Sequence, residues 1–316
     1  MAAGKKILVT GASGFIGKEL CKVLVKRGFQ VTALVRSDKG LPCEGVQCLV
    51  QDLESRFDED ILASGFDAVV HLAGKAHGKG GANEQTAEAF DRSNVATTRR
   101  LAEALAGGST QRFIYLSSIG VHGDSSPGSP ITEQSEERPH AEYARSKLQG
   151  EMALRESLAG TTTAFSIIRP TLVYGENAPG NFGKLVALCR RNVPLPFRNS
   201  NNRRSLVSLD SLVRLIILCI EKPEAENQTF VAADENPVST GNIIRSLRCG
   251  MGKGPGLLPV PIGLVRGVLA IMGRSPLYQQ LFGDLEVDAS KAVNLLGWER
   301  EADTLGRLKV IGKKAG

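Results

Sequence analysis

The sequence predicts an α/β protein, a doubly wound parallel sheet with helices on both faces and a smaller C-terminal lobe. Three observations carry that prediction. Short β-branched runs alternate with longer helical stretches through the first half of the chain. A glycine-rich turn follows the first run directly. After about Thr171 the alternation loosens, and proline and glycine become frequent at Pro179, Gly180, Pro194 and Pro196.

Taken in order, Ile7 to Thr10 reads as a buried strand, an unbroken run with no polar face. Lys18 to Arg27 sets Leu20, Val23 and Leu24 at helical spacing, and Gly28 closes that helix. Val31 to Val35 is a second strand. Strands recur at Val46 to Val50, Ala68 to Leu72, Phe113 to Leu116 and Phe165 to Ile168. Helical stretches such as Glu84 to Leu105 and Glu142 to Leu158 lie between them. Further on, Arg204 to Ile220 has a strand-then-helix pattern and Thr229 to Ala232 is a strand by itself. Both pieces are expected to return to the main sheet. The predicted division is a dinucleotide-binding domain of residues 1–172 plus about 204–233. Residues 173–203 and 234–316 then form a lobe over the open edge of the sheet, where such folds bind ligands.

Composition fits this plan. In 316 residues, 42% hydrophobic content fills a sizeable core, and 23% charged residues is ordinary for a soluble protein. A net charge of +6 with cations spread along the chain argues against a nucleic-acid partner, and Lys309 to Lys314 reads as a solvated tail. Six cysteines form no Cys-x-x-Cys pair and have no histidine at ligand spacing, so neither a metal site nor a disulfide framework is expected. The apolar stretch Leu257 to Met272 is broken by Pro259, Pro261, glycines and Arg266. It is too short to span a bilayer. A partly buried helix is expected there, with surface association with a membrane as the lesser reading. No secretory signal pattern opens the chain, and a cytoplasmic location is expected.

The turn after the first strand, Gly11-Ala12-Ser13-Gly14-Phe15-Ile16-Gly17, is Gly-x-x-Gly-x-x-Gly. Glycines there let the backbone approach a pyrophosphate, whose charge meets the exposed amides of a helix N-terminus. At the end of the second strand stands Arg36, where an acidic residue would bind the adenosine ribose of NAD. Arg36 suits the 2′-phosphate of NADP, or stacks on adenine; NADPH is slightly favoured over NAD. Asp52, after the third strand, is placed to accept from the adenine amine. Leu72-Ala73-Gly74 offers small residues where backbone must lie close to the cofactor.

Tyr143 and Lys147 stand four apart at the start of a predicted helix, one turn from each other on one face. A tyrosine with a pKa of about 10 needs a nearby cation to move protons near neutrality, and Lys147 is expected to lower it. Ser117 and Ser118 end the fifth strand. Ser118 is chosen as the hydroxyl that meets a reacting carbonyl, with capping of a loop as the alternative.

With these residues the chain resembles the extended short-chain dehydrogenase/reductase family, also called the NAD-dependent epimerase/dehydratase family. The resemblance adds Leu53 after Asp52, His71 before Leu72, Asn94, Arg169-Pro170 and Val173-Tyr174-Gly175. Arg204 to Asp210 and a closing Leu295-Leu296-Gly297-Trp298 extend it over nearly the whole chain. It implies a Rossmann-type fold, with Gly11, Ser13, Gly14, Phe15, Ile16, Gly17, Asp52, Leu53, Asn94, Tyr143 and Lys147 at the cofactor. The branch it most resembles contains UDP-glucose 4-epimerase-like proteins and the 4-ketoreductases that form UDP-N-acetylquinovosamine for surface polysaccharide. That likeness implies a 4-ketoreductase acting on a UDP-linked 4-keto-6-deoxy-N-acetylhexosamine, with a UDP-hexose 4-epimerase as the alternative and a non-catalytic dinucleotide-binding protein as a minor one. It also implies Arg204 and Asn181 at the nucleotide sugar, and a homodimer paired through the helices of 84–105 and 142–158. Two departures stand out. His122 replaces the tyrosine of many relatives, and Ile119-Gly120 replaces the Asp-Glu pair with which dehydratases of the family eliminate water.

Overall fold

A computed structural model describes residues 4–37, 43–55, 62, 65–76, 86–191, 193–273 and 275–316. Its first half runs β1 (Lys6–Thr10), α1 (Phe15–Lys26), β2 (Gln30–Val35), β3 (Val46–Val50), β4 (Ala68–His71), α2 (Ala87–Phe90), a π-helical turn (Asp91–Ala96), α3 (Thr97–Ala106), β5 (Arg112–Leu116), a 3-10 turn (Ile119–His122), α4 (Glu142–Ser157) and β6 (Ala164–Pro170). Then come β7 (Leu172–Tyr174), α5 (Gly180–Arg190), β8 (Leu206–Ser208), α6 (Leu209–Glu221), β9 (Gln228–Ala232), α7 (Thr240–Gly250), α8 (Ile262–Ile271), α9 (Ser275–Phe282), α10 (Ser290–Leu296) and α11 (Thr304–Ala315).

Seven parallel strands form one sheet in the order β3-β2-β1-β4-β5-β6-β9. Ile7, Leu8 and Val9 of β1 are fully buried, which is why that strand reads as an unbroken apolar run: helices cover both faces of the sheet. From β1 the chain steps outward through β2 and β3, then crosses back to β4 on the other side. The C-terminal ends of β1 and β4 lie side by side, with Thr10 paired to His71. That reversal opens the crevice in which open α/β sheets bind ligands.

Thr229 to Ala232 joins the main sheet as β9, beside β6. The strand after Arg204 does not. β8 pairs with β7 in a separate two-stranded sheet, because the preceding backbone is already tied elsewhere. Arg204 N donates to Val238 O at 3.0 Å, and Ser205 N to Leu285 O at 2.9 Å. Only the following helix returns, and Leu212, Leu215, Ile216 and Ile220 of α6 are buried in the first core.

A second core gathers Tyr174, Phe182, Phe197, Leu206, Ile244 and Leu308. Helices α7 and α11 meet there almost backbone to backbone: a Cβ on Gly312 would lie 2.1 Å from Leu247 O. Residues 309–314 are therefore part of a docked helix rather than a solvated tail. The predicted boundary at 234 is crossed a second time. Leu285, Val287, Leu296 and Trp298 are buried in the first core, and Trp298 Nε1 donates to Ser211 O at 2.8 Å. The Leu257 to Met272 stretch holds the expected helix, α8, with Val265 and Leu269 half-buried, while Leu264 is 62% and Ile271 90% exposed. No helix among the described residues is long and apolar enough to cross a membrane.

Candidate active site

The glycine turn is shaped by close approach. Gly11 sits at φ +68°, and a Cβ there would lie 2.7 Å from Ala73 N. A Cβ on Gly17 would lie 2.3 Å from Gly11 O, so α1 presses directly on the turn. Gly14 starts α1 with no side-chain cap and no acidic residue in the first turn. The first amides of α1 are thus left for an anion, and the glycine-lined cradle fits a dinucleotide pyrophosphate. Ser13 is exposed there, and Phe15 and Ile16 are half-buried on the first turn.

A chain of hydrogen bonds fixes the floor of this crevice. Ala73 N donates to Thr10 Oγ1 at 3.1 Å, and Thr10 Oγ1 meets His71 Nδ1 at 2.7 Å. His71 Nε2 meets Thr98 Oγ1 at 3.2 Å, and Thr98 Oγ1 donates to the Asn94 carbonyl at 2.6 Å. Donor and acceptor order assigns the proton to Nε2 of a neutral His71. Burial, aided by the Lys147 charge, pushes this imidazole down to about 3. Asn94 extends the lattice from the π-helical turn. Its Oδ1 accepts from Lys75 N at 2.8 Å, and its Nδ2 donates to Ser146 Oγ at 2.9 Å. Ser146 Oγ in turn donates to Tyr143 O at 2.8 Å. A π turn of this kind often marks a functional position, and here it lets one side chain join the end of β4 to the start of α4.

The structure brings Ser118, Tyr143 and Lys147 together at the end of β5. Ser118 lies close enough to the Tyr143 phenol to favour its ionised form, and the Tyr143 ring packs 6.1 Å from that of Phe90. Ser118 Oγ also accepts from Gly120 N at 3.1 Å, so the capping role and the meeting with Tyr143 coexist. Ser117 turns the other way and donates to Glu151. Lys147 is buried, donates from Nζ to Leu116 O at 2.9 Å and lies 4.9 Å from the centroid of the Tyr115 ring. Burial brings its ammonium down to about 8 against the opposing pull of Glu151. Tyr143 is not lowered as its spacing from Lys147 predicts. Burial pushes the phenol up to about 12, with the bond from Ser118 pulling the other way.

Behind these residues lies a charged network that the sequence reading missed. Arg169 Nε and Nη2 donate to Glu151 at 2.9 and 2.5 Å, Nη1 meets His122 Nε2 at 2.9 Å, and Nη2 pairs with Glu137. Arg169 and Glu151 are 2% and 1% exposed, which makes this a buried ion pair rather than a surface one. The available signal was spacing: Glu151 stands four residues past Lys147, as Lys147 does past Tyr143. His122 is buried with both ring nitrogens engaged by the protein. Burial, and then the facing Arg169, hold its imidazole below the ordinary range.

Other predicted residues lie further out. Arg36 is exposed just past β2. Asp52 is exposed and accepts from Glu54 N at 3.0 Å, and Leu53 is buried beside it. Leu72 and Ala73 are half-buried at the end of β4, and Gly74 follows at φ +158° with Asn94 Oδ1 where a Cβ would go. Arg204 Nη1 donates to Gln279 O at 3.4 Å and Gly283 O at 3.0 Å, the carbonyls that end α9; burial lowers its pKa, against the opposing pull of Asp124 and Asp284. Asn181 is exposed on the first turn of α5. No hydrogen bond among the described residues links Asn181 or Arg204 to Tyr143. No cluster of His, Cys, Asp and Glu able to hold a metal occurs among the described residues.

Comparison with known proteins agrees with this geometry. A UDP-glucose 4-epimerase of Vibrio cholerae is 35% identical over 302 residues, covering 93% of this chain and 90% of its own. An Escherichia coli O157:H7 protein, N-acetyl-alpha-D-glucosaminyl-diphospho-ditrans,octacis-undecaprenol 4-epimerase, is 26% identical, covering 83% and 77%. Among solved structures, a UDP-glucuronic acid 4-epimerase from Bacillus cereus in complex with NAD superposes with a TM-score of 0.79 at 22% identity, over 98% of this chain and 96% of that one. The fold is therefore shared. A profile described as the NAD dependent epimerase/dehydratase family matches residues 7–233, and with the Vibrio relative it establishes that this chain belongs to that family of nicotinamide-dependent enzymes.

Proposed function

We propose that the enzyme transfers hydride at C4 of a UDP-linked hexose, with the proton handled at O4 by Tyr143. The observation that carries this is the placing of buried Lys147 on Leu116 O at the end of β5, with its Nζ 3.3 Å from where a Cβ on Gly74 would lie, so that the Tyr143–Lys147 face of α4 meets the crevice floored by β4. Two relatives of this chain are named as 4-epimerases of sugars joined to a diphosphate, which supports both the position on the ring and the diphosphate link.

A bound nicotinamide dinucleotide supplies or accepts the hydride. The chain's residues do the rest. The amides of α1 and Gly11, Ser13, Gly14, Phe15, Ile16 and Gly17 hold the pyrophosphate. Asp52 and Leu53 face the adenine, while Leu72, Ala73, Gly74 and Asn94 floor the crevice. Lys147 orients the nicotinamide ribose and holds positive charge near the phenol. Tyr143, with its pKa up at about 12, carries its proton at neutral pH and gives it to O4 on reduction. Ser118 donates to the same oxygen and stabilises its developing charge. Arg204 and Asn181 meet the nucleotide diphosphate. Ile119 and Gly120, in the 3-10 turn after Ser118, have no proton to transfer, so elimination of water is disfavoured.

Two net reactions use this half-reaction. Reduction of a UDP-linked 4-keto-6-deoxy-N-acetylhexosamine is favoured by Arg36 past β2, which suits an exchangeable NADPH. Reversible 4-epimerisation with retained NAD is favoured by the Vibrio relative. Purified protein mixed with the keto sugar and NADPH or NADH separates them through nicotinamide absorbance. Stoichiometric loss of reduced cofactor establishes the reductase and ranks the cofactors. Interconversion of UDP-hexoses with no added reductant establishes the epimerase, and absence of both reactions overturns the proposal.

A further inference from the structure

Ten large apolar side chains among the described residues stand well exposed, and five of them fall between residues 193 and 272: Val193, Leu258, Leu264, Ile271 and Met272. They are not scattered. Leu258 N donates to Leu195 O at 2.8 Å and Arg198 N to Leu258 O at 3.3 Å, which sets the 193–198 segment beside the approach to α8. Helix α8 packs chiefly on α9 and leaves Leu264 and Ile271 to solvent. Leu264 and Ile271 stand seven residues apart, about two turns, on one face of α8, an exposed apolar stripe of the kind that marks an interaction surface.

The charge around it narrows what that is. Residues 177–209 and 236–283 hold eleven Lys and Arg and no Asp or Glu, in a chain with 33 acidic residues. The Leu195–Leu257 and Arg204–Val238 bridges join these two acid-free segments to each other. Its cations differ by position. On the crevice side, Arg203 pairs with Glu286 at 2.7 Å and Arg204 faces Asp124 and Asp284. On the apolar rim, Arg198 and Arg266 are exposed and make no ion pair among the described residues. A second copy would bring two acid-free surfaces face to face, which like charge opposes. A surface with apolar depth and fixed negative charge above it satisfies both features.

We propose that α8 and the 193–198/256–258 rim dock this lobe on an anionic lipid surface. Leu258, Leu264, Ile271 and Met272 enter the acyl boundary, while Arg198 and Arg266 meet headgroup phosphates. The attachment is peripheral, since no described helix is long enough to span. α9 packs on α8 and its terminal carbonyls hold Arg204, so docking brings the substrate side of the crevice to the lipid.

Flotation of the full chain with vesicles tests this. Phosphatidylcholine vesicles containing phosphatidylglycerol are expected to carry the protein, pure phosphatidylcholine vesicles far less, with release at high salt. The double variant Leu264→Glu/Ile271→Glu is expected to lose about tenfold or more of the bound fraction. Its dinucleotide binding should stay unchanged, showing that the fold survives. Lack of flotation with phosphatidylglycerol, equal flotation of the double variant, or lipid-free self-association abolished by the same substitutions overturns the proposal. Turnover of a soluble nucleotide sugar is read separately, so failure here leaves the proposed reaction untouched.

Discussion

The two sides of the crevice are built on opposite principles. On the cofactor side, successive donors and acceptors run from Ala73 through Thr10, His71, Thr98, Asn94 and Ser146 to Tyr143, and all of these except Ala73 and Tyr143 are buried. On the side proposed for the substrate, Arg204 leans on backbone carbonyls at the end of a helix and faces Asp124 and Asp284. A saturated buried lattice holds groups in one geometry, because displacing any member strands its neighbours without water. Under the proposed function, a cation held on carbonyls exchanges them for a diphosphate, so pre-set chemistry stands beside adjustable recognition.

The sharpest way to break this comparison lies on the rigid side. Tyr143→Phe is expected to cut turnover by about two to four orders of magnitude while sparing dinucleotide binding, measured by titration beside steady-state kinetics. Unchanged turnover would remove Tyr143 from the mechanism. Glu151→Ala is expected to cost about 3–5 kcal/mol by removing the buried carboxylate from Arg169 and leaving it only the half-exposed carboxylate of Glu137, visible as a fall in denaturant midpoint. If Glu151→Ala unfolds no earlier than the parent, the network is ornamental.

Next in size comes Gly17→Ala. Its Cβ has 2.3 Å to Gly11 O, so α1 must retreat from the turn. A loss of about 1–3 kcal/mol in stability, together with weakened dinucleotide binding, is expected by calorimetry. Arg204→Ala touches the adjustable side and should raise KM by roughly tenfold with kcat nearly unchanged, the signature of lost uniform binding. A matching fall in kcat would mean that Arg204 acts on the reacting centre. The smallest effect is a pH dependence. The Lys147 ammonium, brought down to about 8, is present below that value and lost as pH rises through it. Turnover should therefore decline on the alkaline side near pH 8, and Lys147→Arg should shift that limb upward in whatever activity it retains, because a guanidinium stays charged.

Much of the rigid side was legible in the chain. Unbroken apolar runs marked strands covered on both faces, Gly11 and Gly17 marked a close approach, and the Tyr143–Lys147 spacing marked a shared helix face. These are local patterns, set by residues within a few positions of one another. The Glu151–Arg169 pair joins a helix to a strand across 18 positions and left only a faint spacing signal. The pairing of β8 was hidden for a related reason. Leu206 to Ser208 reads as a strand in any sheet, and the distant bonds of Arg204 and Ser205 to Val238 and Leu285 decide which one.

The sequence by itself determined the alternation that makes a parallel sheet, the glycine turn at its first strand and the chemical types gathered at its edge, because periodicity and backbone freedom act over short range. Tertiary structure alone decided that Ser117 turns to Glu151, that the phenol is raised rather than lowered, and that Leu264 and Ile271 of α8 stand exposed. Each of those depends on which distant groups surround a residue, since burial and pairing are properties of the packed chain.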